Sequence, residues 1–437
     1  MDGNSALWER RPWAHVTAVL AAVMVVTTVF LPDWSAALGM VALFYVLRRQ
    51  VGPLEALVGT FVFLTALASS RYGPHLVTRA MRLPLLLLLA VPALKRFAGW
   101  TVPERRAHLR WLLVLLFVTS VPTFISQGFV IRDPQIVLLP FGWFLYGAFM
   151  FHLTEEERRQ RFRLVAVLVP AVFLALFAFG VLRPGAAALG GRFRGFFGNP
   201  NELSHWWLAA STMLVALSLR LRNRTLFYAV AAATVVLFLR SGSRSPLAGF
   251  LVVAAGTWFL SRETPRWLRG AAALGAIAIA VALPALSVEQ LSLILPDSLV
   301  RSESLEAGGG RFVAWRFGWE QLQERFWWGG GAGFEEVIYA QYSELLSALN
   351  HQGLSHNSYL AFALNFGVVG ALVLAVGLWR KLGLTRPDMF FIGAVPFLVT
   401  TFFEGVLTSP LNATTPIWFL AASLVSQELA ASSRTQG

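Results

Sequence analysis

The sequence contains no cysteine, and charged residues make up only 14% of its 437 positions. The absence of cysteine excludes disulfides and thiolate metal sites. Hydrophobic residues make up 56% of the chain and its mean hydropathy is +0.62, so it holds more apolar surface than a soluble fold of this length could bury. We therefore predict an all-α polytopic membrane protein.

Fourteen apolar segments are candidate membrane crossings. They lie near residues 13–31, 34–47, 54–69, 82–95, 111–128, 135–153, 164–182, 204–219, 225–239, 246–260, 270–288, 357–379, 388–407 and 412–427. Several early segments are shorter than the roughly 20 residues that a full crossing needs. A fused or re-entrant pair among the first four would reduce the number, so we expect 12–14 transmembrane helices.

The net charge of +13 comes from basic residues spread over short interhelical loops. Such a distribution sets membrane topology and does not form the single basic face of a nucleic-acid-binding protein. With the N-terminus inside, 23 of the 36 basic residues fall in cytoplasmic loops, as the positive-inside rule requires. The long polar, partly helical interval from about 289 to 356 then lies on the outer face of the membrane.

This pattern divides the chain into four parts. Residues 1–160 hold the N-terminal transmembrane helices, and residues 161–288 hold core helices with arginine-bearing outer connections. Residues 289–356 form the outer loop, and residues 357–437 form the C-terminal transmembrane helices.

Thirteen basic residues remain outside, and several arginines among them oppose the topology rule in glycine-rich stretches, which requires another explanation. The arginines in these stretches are Arg192, Arg194, Arg240, Arg244 and Arg311. A guanidinium group presents a planar, permanently charged fork that suits phosphate, and the neighbouring glycines would let backbone N–H groups approach a ligand. The convergence predicts a site for an anionic head group, such as a lipid phosphate or pyrophosphate. Arg240 is as well placed to snorkel or to pair with Glu404 as to touch substrate.

His356 directly precedes an apolar segment on the same predicted face. A neutral imidazole is the usual group for taking a hydroxyl proton near neutral pH, and nearby arginines disfavour its charged form. His356 is therefore the candidate general base, with His351 as the alternative. Polar residues that could also contact substrate are Asn199, Asn201 and Asn357. No Asp-x-Asp pair or ligand cluster calls for a metal on this face, so the residues predict glycosyl transfer from a lipid pyrophosphate to a hydroxyl.

Four stretches in order resemble the O-antigen ligase / O-antigen polymerase superfamily of bacterial membrane glycosyltransferases. They are Arg192 to Asn201, then Gly242-Ser243-Arg244, then Gly310-Arg311 with Trp315 and the run Gly329 to Phe334, and finally Ser355 to Leu360 continuing into Asn365 to Gly370. The resemblance covers about residues 165–380. Each motif alone is weak, whereas all four in order on one face are specific.

The resemblance implies a GT-C-like fold in the bacterial inner membrane, capped by a periplasmic loop. It also implies inverting, metal-independent transfer of a glycan from undecaprenyl pyrophosphate, without a cofactor. The favoured acceptor is a sugar hydroxyl of lipid A–core, as in ligases, and the alternative is another lipid-linked repeat, as in polymerases. His356 matches the catalytic histidine, and Arg192 and Arg244 match the two pyrophosphate-binding arginines. Arg194 could share the role of Arg192, because the arginine before this motif is doubled here.

Two further functions stay open at this stage. A protein O-oligosaccharyltransferase would use the same donor with a protein hydroxyl as acceptor. A flippase for lipid-linked glycans would also need arginines, although along a central cavity that spans the bilayer.

Overall fold

The structure is a computed structural model, and it describes residues 13–31, 36–69, 75–127, 141–146, 154–221, 223–260, 309–349, 353–381, 395–405 and 411–434. Within these ranges the chain is helical almost throughout. The first helices are α1 (Trp13–Val25, continued by a π-helical turn Val26–Phe30), α2 (Ala36–Val51), α3 (Pro53–Ala68), α4 (His75–Gly99), α5 (Val102–Gln127) and α6 (Glu155–Leu182).

The middle of the chain contains the two short strands found in the described ranges. Its elements are α7 (Pro184–Ala187), β1 (Ala188–Leu189), β2 (Arg192–Phe193), α8 (Pro200–Arg220), α9 (Arg224–Ser241) and α10 (Arg244–Leu260). The last part contains α11 (Gly309–Gln323), α12 (Phe334–Gln341), α13 (Ser343–Ala348), α14 (Ser358–Lys381), α15 (Val395–Phe403) and α16 (Thr415–Arg434).

Five helical stretches are long and apolar enough to cross a membrane. They are Leu76–Gly99, Val102–Ser126, Glu155–Leu182, Arg224–Ser241 and Ser358–Gly377. Shorter apolar helices accompany them, so the prediction of an all-α polytopic membrane protein is confirmed. The number of crossings stays a prediction, since the segment predicted at 270–288 and most of that at 135–153 lie outside the described residues. The four-part division of the chain also stays a prediction.

Three helices begin seven to nine residues before the apolar segments predicted at 82, 111 and 164, at His75, Val102 and Glu155. The extra turns of α5 and α6 are rich in charged residues, and the start of α6 shows why they are helical. The Thr154 hydroxyl accepts the Glu157 N–H, and the Glu157 carboxylate accepts the Thr154 N–H, so the two residues form a capping box. A hydropathy pattern misses such a start because the capping residues are not apolar.

Helix α8 lies at the centre of the bundle and packs against α6, α9, α10, α15 and α16. Its interior face includes Trp206, which is fully buried and contacts the Phe197 ring. The N-terminus of α8 directly follows the arginine-bearing connection, so this central helix fixes the position of that connection.

The opposite end of the bundle is held by buried charge. The Arg161 Nε lies 3.1 Å from Glu55 Oε2, and both side chains are at most 1% exposed. The Ser423 hydroxyl lies 3.3 Å from Arg161 Nη1, so the three residues join α6, α3 and α16. Because removing one partner would leave an uncompensated buried charge, this end of the bundle is fixed in register.

Candidate active site

The connection between α6 and α8 forms a tight β-hairpin. Strands β1 and β2 pair antiparallel, with Ala188 opposite Phe193 and Leu189 opposite Arg192. The turn residues Gly190 and Gly191 have φ values of 55° and 72°. A two-residue turn with positive φ at both positions suits the twist of a hairpin and favours glycine. The hairpin places Arg192 on its second strand.

Arg192 ties this hairpin to the turn between α9 and α10. Its guanidinium donates to the carbonyls of Ser241, at 2.6 Å, and Gly242, at 3.3 Å. It also donates to the Ser243 hydroxyl at 3.1 Å and to Asn201 Oδ1 at 2.7 Å. The structure therefore brings together the first two arginine-bearing connections. Contact of Arg192 and Asn201 with a substrate stays a prediction.

Arg194 has a different environment from Arg192. It is 1% exposed, and it donates from Nε to the Ala186 carbonyl at 2.9 Å and from Nη1 to the Gly198 carbonyl at 3.0 Å. These bonds satisfy backbone acceptors inside the connection itself, which gives Arg194 a structural role. Of the two arginines, the half-buried Arg192 is thus the better placed to meet a pyrophosphate.

Two of the candidate asparagines begin helices. Asn199 Oδ1 accepts the Glu202 N–H at 2.8 Å, as the N-cap of α8. Asn357 Oδ1 accepts the N–H groups of Tyr359 and Leu360, both at 3.0 Å, at the start of α14. The run Asn199-Pro200-Asn201 is typical of a turn and helix start, and α8 begins there. Contact of either side chain with substrate stays a prediction.

Arg240 and Arg244 flank the turn between α9 and α10. Gly242 ends α9 in the left-handed conformation, with φ 60°, where glycine carries no Cβ penalty. The Arg240 side chain is exposed, and the ion pairs of Glu404 are made with other residues. Arg244 is half-buried at the first position of α10.

The outer loop, predicted to be partly helical, contains α11. Arg311 lies in its first turn. One turn later the Trp315 indole N–H donates to the Ser355 carbonyl at 2.8 Å. The Tyr339 hydroxyl donates to the Ala314 carbonyl at 2.5 Å, which joins α12 to α11. These contacts hold Arg311 beside the segment that leads into α14.

The glycine-rich part of the loop is fastened to a break in α14. The break lies at Gly367, whose φ and ψ are 71° and 178°. Backbone groups that a continuous helix would pair internally are paired with the loop instead. The bonds run from Gly330 N to Leu364 O (2.8 Å), from Gly331 N to Asn365 O (2.7 Å), from Val368 N to Phe326 O (2.8 Å) and from Val369 N to Trp327 O (3.4 Å). The loop thus replaces the missing helical hydrogen bonds.

His356 lies between two anchored neighbours and has a φ of 50°, the one positive value among the non-glycine residues that the structure describes. A left-handed conformation costs a non-glycine residue about 1 kcal/mol or more. The Ser355 N–H and hydroxyl donate to Glu335 Oε1 at 3.0 and 2.6 Å, and Trp315 holds the Ser355 carbonyl. On the other side Asn357 caps α14. The surrounding hydrogen bonds therefore determine the unusual backbone, a situation typical of functional sites.

Glu404, the residue after α15, faces three groups that carry or can carry positive charge. Its Oε2 lies 3.8 Å from His356 Nδ1, which is within electrostatic reach but longer than a hydrogen bond. Its Oε1 lies 3.4 Å from Arg311 Nη2 and 3.9 Å from His205 Nε2. Glu404 therefore forms an ion pair with Arg311, whereas the partner considered from the sequence was Arg240.

The two carboxylates near His356 differ in their partners. Glu404 is paired with Arg311. Burial raises the pKa of Glu335, only partly offset by the hydrogen bonds from Ser355. Glu404 is thus the carboxylate of the site that an ion pair compensates.

The sequence did not reveal that Glu404 approaches both His356 and His205. The available signals were an acidic residue at the end of an apolar segment and a histidine near the start of another. The alternative base His351 lies outside the described residues. Within the described ranges, no group of three or more His, Asp or Glu is placed to hold a metal ion.

Comparison with known proteins gives a family match for the second half of the chain. No curated protein matches the chain. Residues 228–375 match the family model described as O-antigen ligase. The matched region contains Arg240, Arg244, Arg311 and His356, whereas the hairpin with Arg192 and the Glu404 position lie outside it. This match over residues 228–375 supports the predicted O-antigen ligase superfamily.

Proposed function

We propose that the protein is an O-antigen ligase, which transfers a glycan from undecaprenyl pyrophosphate to a sugar hydroxyl of lipid A–core on the periplasmic face of the bacterial inner membrane. The family match supports a lipid-linked glycan and a glycan acceptor as substrates. The observation that carries the proposal is the constrained His356 beside the Arg311–Glu404 ion pair. This arrangement supports the proposal, because the reaction requires a base beside a group that can bind the leaving pyrophosphate.

In the proposed reaction, the acceptor hydroxyl attacks the anomeric carbon of the donor glycan. His356 takes the hydroxyl proton as the new C–O bond forms. The bond from the anomeric carbon to the pyrophosphate breaks at the same time, and its electron pair leaves with undecaprenyl pyrophosphate. Attack from the face opposite the leaving group inverts the anomeric configuration.

The arginines would bind the leaving group. Arg311, Arg192 and Arg244 are the candidates, since each is at least partly accessible. Their charge would stabilise the negative charge that grows on the pyrophosphate in the transition state. The N-terminus of α8 connects this set. Its residue Asn201 accepts a hydrogen bond from Arg192. His205 follows about one turn later in the same helix and faces Glu404.

The test uses purified full-length protein in nanodiscs with an undecaprenyl-pyrophosphate-linked oligosaccharide as donor. Lipid A–core and a second lipid-linked repeat are offered in separate reactions. Wild type is compared with His356→Ala and with His15→Ala, a matched control at an exposed histidine of α1. We expect transfer to lipid A–core that falls by about 10²- to 10⁴-fold in His356→Ala and is unchanged in His15→Ala.

Other outcomes point to other functions. A ladder of longer lipid-linked chains would make the protein a polymerase. Transfer to a protein hydroxyl alone would make it a protein O-oligosaccharyltransferase, and movement of donor across the bilayer without transfer would make it a flippase. Undiminished transfer by His356→Ala would contradict the assignment of the base and direct attention to His351.

A further inference from the structure

Resting on the proposed function, we propose that Glu404 is a positioning residue that couples donor binding to the activation of His356. In the structure its carboxylate holds Arg311 and faces His356 at the same time. When Arg311 turns to the pyrophosphate of the donor, the negative charge of Glu404 is left to His356. The base would then gain its full strength only after the donor has bound.

The two oxygens of Glu404 face different partners. Oε1 lies 3.4 Å from Arg311 Nη2 and 3.9 Å from His205 Nε2, while Oε2 lies 3.8 Å from His356 Nδ1. One carboxylate therefore contacts both the anion-binding group and the base. A change in the position of Arg311 must alter the electrostatic field at His356.

The Glu404 side chain is less exposed than the side chains of its partners Arg311 and His356. Its side chain is 16% exposed, whereas those of Arg311 and His356 are 32% and 39% exposed. Substrate can thus reach the arginine and the imidazole more readily than the carboxylate behind them. This arrangement suits a group that acts through its neighbours.

The backbone of Glu404 is fixed. Its N–H donates to the Thr400 carbonyl at 2.8 Å, and its carbonyl accepts the Ser358 hydroxyl at 2.6 Å. The Thr400 hydroxyl also lies 3.1 Å from His205 Nδ1, which holds that ring in place. Since Ser358 belongs to the first turn of α14, these bonds also fix Glu404 relative to His356.

The chemistry of the pair favours Nε2 as the basic atom. A carboxylate facing Nδ1 stabilises the tautomer with its proton on Nδ1, which leaves the Nε2 lone pair for the acceptor hydroxyl. It also favours the imidazolium that forms when His356 takes the proton. While Glu404 is shared with Arg311, both effects are weaker, and Glu404 competes with the pyrophosphate for that arginine.

Replacement of Glu404 by glutamine tests this coupling in the full-length protein in nanodiscs. Glu320→Gln is the matched control, because it removes a carboxylate from an exposed ion pair with Arg316 on α11. Three readouts are taken: the donor Kd without acceptor, kcat with lipid A–core, and the pH dependence of kcat. We expect the donor Kd to fall about 2- to 5-fold in Glu404→Gln, since Arg311 loses a competing carboxylate. The kcat should fall by about 10-fold or more.

The pH dependence reports whether Glu404 acts through His356. Charged or titratable groups that face the imidazole or its partner are Glu404, Glu335, Arg311 and His205. Removing the Glu404 charge disfavours the imidazolium, so the acid limb of the kcat profile should move about 1 pH unit toward acid. Glu404→Asp keeps the charge, and its acid limb should stay near that of wild type although kcat falls.

Several results would overturn the coupling. A donor Kd that rises in Glu404→Gln would show that the carboxylate merely supports Arg311. An unmoved acid limb would show that it does not act through His356. If Glu404→Gln does not fold, the kcat–pH profile of Glu404→Asp decides instead. An acid limb that moves by about 1 pH unit from its wild-type position overturns the inference, and one that stays at the wild-type position supports it. Failure of wild type to transfer glycan to either acceptor would instead contradict the proposed function.

Discussion

Replacing Gly367 by alanine tests whether the outer loop is fastened to α14 through the helix break. The backbone of Gly367, at φ 71° and ψ 178°, lies in a region that almost only glycine adopts. An alanine Cβ would lie 2.0 Å from the Trp327 carbonyl oxygen and 2.4 Å from the Trp328 nitrogen. These are backbone atoms that no rotamer change can move, so the loop itself must shift.

The size of the effect follows from two contributions. The strained backbone alone costs alanine about 2 kcal/mol. If the loop also separates from α14, its four backbone hydrogen bonds are lost, each with a net value of about 1 kcal/mol. We therefore expect the free energy of unfolding to fall by about 2 kcal/mol if the loop stays in place, and by about 6 kcal/mol if it separates.

Two measurements on the purified protein distinguish these cases. Tryptophan fluorescence gives the melting temperature, and hydrogen–deuterium exchange over residues 326–334 reports on the Gly330 and Gly331 amides, which donate to α14. Separation predicts faster exchange there together with a large fall in melting temperature. Gly99→Ala is the control, because no atom lies within 4 Å of the added Cβ. Melting temperature and exchange equal to those of the control would refute the reasoning.

Two further predictions concern the site. Arg194→Ala should lower the free energy of unfolding by about 3 kcal/mol, since two backbone carbonyls lose a charged donor. Arg192→Ala should mainly weaken donor binding. A lower melting temperature in Arg192→Ala and a higher donor Kd in Arg194→Ala would contradict this assignment. Trp315→Phe removes one hydrogen bond to Ser355, worth about 1 kcal/mol. This change should lower kcat several-fold without changing the donor Kd. A donor Kd that changes as much as kcat would instead assign Trp315 to donor binding.

The sequence predicted the class of fold and the positions of most described helices, because long apolar runs suffice for both. It missed the first turns of three helices, since capping at Thr154 and Glu157 depends on side-chain hydrogen bonds that hydropathy does not measure. The sequence also did not predict the break at Gly367, because apolar residues flank it on both sides, as they would in a continuous helix. The partners that make the break stable lie about 40 residues earlier in the chain.

For the site, the sequence predicted which arginines lie in outer connections but not what their guanidinium groups bind. Arg192 and Arg194 have nearly the same sequence context, and only folding separates the buried one from the half-buried one. Glu404 follows His356 by 48 positions, and their approach depends on how α15 packs beside α14. Packing between helices is a property of the folded bundle, so local patterns could not predict it.

The hydrogen bonds between the loop and the break at Gly367 join two segments that the ribosome makes at different times. Hydrocarbon offers no partner for an unpaired backbone group, so a broken helix needs its substitute donors and acceptors wherever it contacts lipid. Residues 326–331, which supply them, are synthesised before residues 364–369, which need them. The ribosome therefore makes the loop before the helix that it completes. Without the loop, the four backbone groups at the break in α14 would lose their partners, so the loop completes this helix.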